Sequence, residues 1–216
     1  MKSIRSFFPS YSWRKKGWFT SFIWLAILLI VIDFVSKWIV ELNVPYGTSV
    51  TLIPNFLYIT LSHNYQGAFN SGSNDQMWVR ILLTIISWVM SVAIFLYWRK
   101  GLPNNDKLMN STLMLILAGA IGNAVDRTLY WGPYPVKGSI DHDLPYGVID
   151  FIQFYLGGGP SAAYNVVINP FATFNIADSC VTIGIIMLLV ILVVREIKEN
   201  KEKEEEDNKN EGKDNH

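Results

Sequence analysis

Apolar positions in this chain are bunched into four long runs, at roughly 18–40, 77–98, 108–130 and 174–194. Each is close to the twenty or so residues that a bilayer core demands, so the pattern predicts four membrane helices. The connections between them differ in character. After the first run, VTLIPNFLYITLSHN is rich in β-branched and aromatic residues with partial alternation, is broken by Pro54, and leads into the turn-forming cluster NYQGAFNSGSND. A small sheet on the outer face is expected there. The connection 128–173 is long and full of Gly, Pro and Tyr, and loops of that length are usually functional or mobile. No internal repeat is evident, which weighs against the duplicated architecture of many transporters. The fold class expected is an all-α membrane protein: a four-transmembrane-helix bundle with a small extracytoplasmic β-sheet and a long extracytoplasmic loop.

Charge orients this bundle. Lys2, Arg5, Arg14, Lys15 and Lys16 precede the first run, Arg99, Lys100 and Lys107 surround the short middle connection, and six basic residues follow from Arg195 onward. The connection 41–76 has no Lys or Arg, and 128–173 has only Lys137. The positive-inside rule then places both termini and the middle loop in the cytoplasm, with the two long connections outside. The first run is too long for the apolar region of a signal peptide, carries Asp33 and Lys37, and lacks a small-residue cleavage site, so it reads as a retained anchor. With 216 residues, half of them hydrophobic, the chain divides into a basic N-terminus (1–17), one membrane domain (18–194) and a charged tail (195–216) expected to be disordered. Net charge is zero, much of it cancelling within the tail, and singles out no partner; no nucleic acid is expected.

What changes the picture is where acids stand. Asp33, Asp126 and Asp178 lie inside or at the ends of apolar runs, and an ionisable residue at membrane depth costs at least about 2.5–3.5 kcal/mol, so it marks a functional site by default. Asp33 and Lys37 are four apart, one helical turn, where pairing lowers the cost of burying both; they either neutralise each other or support a site indirectly. In AGAIGNAVDR, Gly119 and Gly122 clear one helix face for close approach, Asn123 and Asp126 share a face, and Arg127 adjoins them as a candidate ion-pair partner for Asp126. In FNIADS, Asn175 and Asp178 are three apart at a helix start, which suits a cap as well as a site. Asp150, in GVIDFIQF, has apolar neighbours that return it toward the membrane interface. The single cysteine, Cys180, has no histidine on its helix to act as base and reads as a small buried apolar residue.

Two carboxylates close together in a poorly solvated site cannot both ionise easily, so one keeps a proton. The charged one can take a proton from an attacking water while the other donates to a carbonyl oxygen. Asp150 and Asp178 are the candidates, with Asn64, Asn123, Arg127 and Asn175 to orient the acids and hold a substrate main chain. That chemistry calls for no metal and no cofactor. A proton-coupled transporter or a scaffold with interhelical ion pairs are the alternatives from other classes.

The elements DFVSK, HNYQGAFN, AGAIGNAVDR, VIDF and FNIADS, in this order over about residues 18–194, resemble those of the bacterial lipoprotein signal peptidases (signal peptidase II, prolipoprotein signal peptidase). The resemblance implies an inner-membrane aspartic endopeptidase that cuts before a diacylglyceryl-modified cysteine, with Asp150 and Asp178 as the catalytic dyad. It further implies that Asn64, Gly67, Gly119, Gly122, Asn123, Asp126, Arg127, Asn175 and Ala177 belong to the site, supported by Asp33 and Lys37. Expected partners are diacylglyceryl-prolipoproteins, membrane lipids and the inhibitor globomycin, acting on a monomer. The chain departs from the family pattern in longer intervals on both sides of Asp150 and in Asn70, where serine is common. The inserted Asp141-His142-Asp143 is hydrophilic and bounded by proline, which fits an exposed turn better than a competing acid or metal site.

Overall fold

The computed structural model describes residues 17, 21–45, 48–64, 77–101, 106–129, 147–155 and 171–214. Four helices appear where the apolar runs predicted them: α1 (Ile23–Asn43), α2 (Met77–Gly101), α3 (Lys107–Leu129) and α4 (Ile176–Asp214). All four are long and apolar enough to cross a membrane. Helix α1 starts later than the apolar run because Phe22, at its N-cap, takes a left-handed conformation with φ 56°. The Trp98 indole of α2 donates to the Ser21 carbonyl at 3.1 Å and ties down this break.

Helix α3 sits in the middle, packed on α1, α2, α4 and the sheet, and is the most buried of the four. The outer helices carry exposed apolar rows such as Val31, Val35 and Leu42 on α1, Ile85, Val89 and Val92 on α2, and Ile186, Leu189 and Val193 on α4. Such rows, at the three- and four-residue spacing of one helix face, suit lipid and would be a liability in water. One cluster, including Trp98, Met114, Leu117 and Ile191, fills the bundle between the helices.

The charged tail differs from expectation. Instead of a disordered extension, it continues α4 without interruption to Asp214. Lys and Glu are strong helix formers, Glu199 and Lys203 stand at the favourable i, i+4 spacing, and an existing helix removes the cost of nucleation. At 1.5 Å per residue the helix is about 58 Å long, roughly twice a bilayer core, so its charged half must leave the membrane.

Strands β1 (Ser49–Ile53) and β2 (Leu57–Asn64) form the hairpin expected between α1 and α2, with Asn55 taking the left-handed turn position at φ 61°. A third strand, β3 (Val148–Phe154), comes from the long connection and pairs antiparallel with β2 in the order β1-β2-β3. Its VIDFIQF run has the β-branched and aromatic content of a strand, a signal passed over because the surrounding loop is rich in Gly and Pro. The register sets Ser62 opposite Asp150 and Asn64 opposite Val148. Beneath the sheet, Val40 of α1 and Val44 at its C-cap pack with Leu61, Ile149 and Phe151. Paired backbone bonds between Ile152 and Phe174 (2.8 and 3.0 Å) then lead the chain from the sheet into α4.

Candidate active site

The start of α4 organises the site. Asn175 is its N-cap: its carbonyl accepts from Ser179 N at 3.2 Å, and its side-chain Oδ1 accepts from Asp178 N at 2.8 Å. Asp178 Oδ2 returns the bond, accepting from Asn175 N at 3.2 Å. This is a reciprocal capping arrangement, which satisfies two of the donors a helix start leaves open. A third, Ala177 N, donates to Asp33 Oδ1 of α1 at 2.8 Å. The cap and site readings of Asp178 are therefore compatible, because its Oδ1 faces away from the cap and accepts from the Asn123 amide of α3 at 2.7 Å.

Asn175 also reaches the second acid. Its fully buried amide nitrogen donates to Asp150 Oδ1 at 2.8 Å, with Asn123 Oδ1 at 3.1 Å and the Ile149 carbonyl at 3.3 Å also in range. Asp150 Oδ2 accepts from the Asn64 amide of β2 at 3.0 Å. One asparagine thus touches both Asp150 and Asp178, and each acid has a further amide of its own, from Asn64 and Asn123. Asp150 is 1% exposed. Burial above all, then the nearby charge of Asp178, lifts its pKa from 3.8 to about 7, against the Asn64 amide, Lys37 and the Asn175 amide, which favour its charged form.

Below the acids lies a buried ion cluster. Lys37 Nζ stands 2.6 Å from Asp33 Oδ2 and 2.8 Å from Asp126 Oδ2, with Asn123 Oδ1 at 3.5 Å. Asp126 was expected beside Arg127, but adjacent helical residues point about 100° apart, and the ion-pair partner of Asp126 is Lys37. Arg127 instead donates through Nη1 to Ser87 Oγ of α2 at 3.1 Å and to the Asn123 carbonyl at 3.5 Å. Asp126 Oδ2 also accepts from Ile149 N at 3.4 Å, linking α3 to the strand that carries Asp150.

The glycines allow these elements to meet. A Cβ on Gly122 would stand 2.7 Å from Asp33 Oδ2, and one on Gly119 would collide with the Ala177 carbonyl oxygen and lie 2.6 Å from Val181 Cγ2. The small residues at 119, 122 and 177 therefore set the α3–α4 spacing that lets Asn123 reach Asp178.

Of the residues expected at the site, Asp33, Lys37, Asn64, Gly119, Gly122, Asn123, Asp126, Asp150, Asn175, Ala177 and Asp178 come together, and Arg127 lies one step away on Ser87. Gly67 and the Asp141–Asp143 cluster lie outside the described residues. Among the described residues no group of three or more His, Cys, Asp or Glu side chains is arranged to hold a metal ion. Ser87 was missed, although Thr84, Ser87 and Ser91 recur at helical spacing within an apolar run; so was Glu41, one turn beyond Lys37.

Comparison with known proteins agrees with this architecture. The family model described as signal peptidase (SPase) II matches residues 25–194. A lipoprotein signal peptidase of Acinetobacter baylyi is 36% identical over 181 residues, covering 81% of this chain and 86% of that one. Two solved structures of bacterial membrane enzymes, obtained by the in meso method, each superpose with a TM-score of 0.57. They are 29% and 28% identical, and each alignment covers 79% of this chain and 90% or 86% of the other.

Proposed function

Because the chain belongs to the signal peptidase II family, we propose that it cuts prolipoproteins just before a diacylglyceryl-modified cysteine, with Asp150 and Asp178 as its two catalytic acids. The observation that carries this reading is the Asn175 side chain, which binds Asp150 through its amide nitrogen and the Asp178 backbone through its oxygen. Two acids held by one rigid amide at a helix start can share a water and a proton without either side chain having to search for the other.

In the proposed reaction the shared proton sits on Asp150, whose burial favours the neutral form, and Asp178 is the charged partner. A water between them loses a proton to Asp178 as its oxygen attacks the carbonyl carbon preceding the cysteine, while Asp150 donates its proton to the carbonyl oxygen. Collapse of the tetrahedral intermediate breaks the C–N bond; Asp178 returns the proton to the leaving amine and Asp150 recovers its own. The Asn123 amide holds Asp178 in place, and Arg127 is assigned to bind the substrate main chain. Lys37 bridges the two buried carboxylates of Asp33 and Asp126 beneath the dyad and offsets one of their charges. The termini are assigned to the cytoplasm and the sheet to the outer face, where a lipidated substrate can present its cysteine from the outer leaflet. Globomycin is expected to compete for the same groove.

Cleavage of a lipidated prolipoprotein peptide by the purified full chain, with and without globomycin, tests the reading. Wild type cuts and globomycin blocks it, whereas Asp150→Asn and Asp178→Asn each abolish cutting while remaining folded and membrane-inserted. Retained cleavage in either variant would sink the dyad.

A further inference from the structure

Helix α1 bears a third charged residue on the face that meets the site. Asp33, Lys37 and Glu41 follow one another at four-residue intervals, so they form a single stripe, one turn apart. Each engages a different element. Asp33 holds the start of α4 at Ala177 N, Lys37 holds Asp126 of α3, and Glu41 Oε2 accepts from His63 Nε2 of β2 at 2.9 Å. The first two contacts belong to the site described above. The third has no part in it so far, although the His63 side chain is only 2% exposed and Glu41 22%.

His63 immediately precedes Asn64, whose amide is 3.0 Å from Asp150 Oδ2. In the β2–β3 ladder His63 stands opposite Ile149 and Asn64 opposite Val148. Apolar contacts also join this end of the sheet to α1 and its C-cap, Val40 and Val44 packing with Leu61, Ile149 and Phe151. Apolar packing holds surfaces together without direction, so it tolerates a small slide. A hydrogen bond from a buried histidine to a partly buried glutamate does not, because its energy falls steeply with distance and angle.

We propose that the Glu41–His63 pair positions the peptidase acid: it fixes the end of β2 against α1 so that the Asn64 amide is presented to Asp150. Neither residue touches the acids; both act through Asn64. The inference rests on the reading of Asp150 as catalytic. It also has a signature that general destabilisation lacks. The Asn64 bond favours the charged form of Asp150, so loosening it shifts the alkaline limb of the rate profile to higher pH.

The test compares His63→Gln, His63→Asn and Glu41→Leu with wild type and Asp150→Asn in the same lipidated-peptide assay, with thermal unfolding measured for each. Gln places its amide nitrogen near the position of the imidazole Nε2 and keeps the bond to Glu41; Asn is too short to do so. His63→Asn and Glu41→Leu are expected to lower kcat about tenfold, the scale of a small misplacement of a reacting group, with KM little changed and the alkaline limb moved upward. His63→Gln is expected to retain wild-type kcat and limb. Equal activity of the Gln and Asn variants, whether both high or both low, overturns the positioning role, and so does an unmoved alkaline limb in the impaired variants. An active Asp150→Asn would remove the premise itself, whereas an inactive one beside a wild-type His63→Asn removes only this inference.

Discussion

Asp150 lies under two opposing influences. Amides on both its oxygens favour the carboxylate, and burial beside Asp178 favours the acid; burial prevails, at a pKa of about 7. The folded protein therefore keeps a proton that the unfolded chain releases from about pH 4 upward. The associated stability is fully present below pH 4 and is lost as pH rises to about 7, after which the deficit is constant. Asp150→Asn, which cannot ionise, escapes that loss. Its stability relative to wild type is expected to improve by on the order of 2–4 kcal/mol between pH 4 and pH 8, read by thermal unfolding in detergent. Wild-type kcat should fall as pH rises through about 7, because the pair then loses its shared proton. A variant that is inactive yet gains stability with rising pH would show an acid retained at the expense of the fold. At this scale the sequence marked the acids that stand in or beside apolar runs and was silent about their partners. Asp126 and Arg127 are neighbours in the chain, but the helix turns them apart and pairs Asp126 with Lys37 from another helix.

Helices α3 and α4 meet through absent side chains. The Cβ that Gly119→Ala adds would run into a backbone carbonyl, at Ala177, which has no side-chain freedom with which to give way. At Gly184, two turns from Asp178 on α4, the first atom met is a side-chain carbon, Ile116 Cγ1, and the nearest backbone atom stands off at 3.1 Å. Gly119→Ala is therefore expected to cost about 1–3 kcal/mol and to reduce cleavage more than Gly184→Ala, since it separates Asn123 from Asp178. Measuring unfolding midpoints and kcat for the two variants together checks this; equal effects on kcat would mean that helix spacing does not control the site. The helical elements were legible from apolar runs near bilayer length. The third strand was not, because its seven residues sit inside a long loop and their partner, β2, is about 90 positions earlier in the chain. The apolar run did not reveal that α1 starts at Ile23, because the left-handed conformation of Phe22 leaves no mark in hydropathy.

Across the whole molecule, lipid-facing rows on α1, α2 and α4 surround the buried α3, and the sheet closes one end of the bundle while the charged half of α4 leaves the other. The orientation assigned from Lys and Arg predicts that a membrane-impermeant thiol reagent applied to intact spheroplasts labels Ser49→Cys on β1 but not Lys203→Cys on the tail, in a background with Cys180→Ser. The reverse labelling would invert the topology and put the site on the cytoplasmic side. Hydropathy and five short motifs were enough to define a four-span membrane peptidase and to single out the acids that stand in its apolar runs, because spans and caps are local and bilayer insertion reads composition directly. The meeting of those acids was decided in three dimensions. Asn175 joins residues from β3 and α4, Lys37 joins α1 to α3, and Glu41 joins α1 to β2. Each bond depends on how elements distant in sequence are spaced and rotated, which no stretch of a single element encodes.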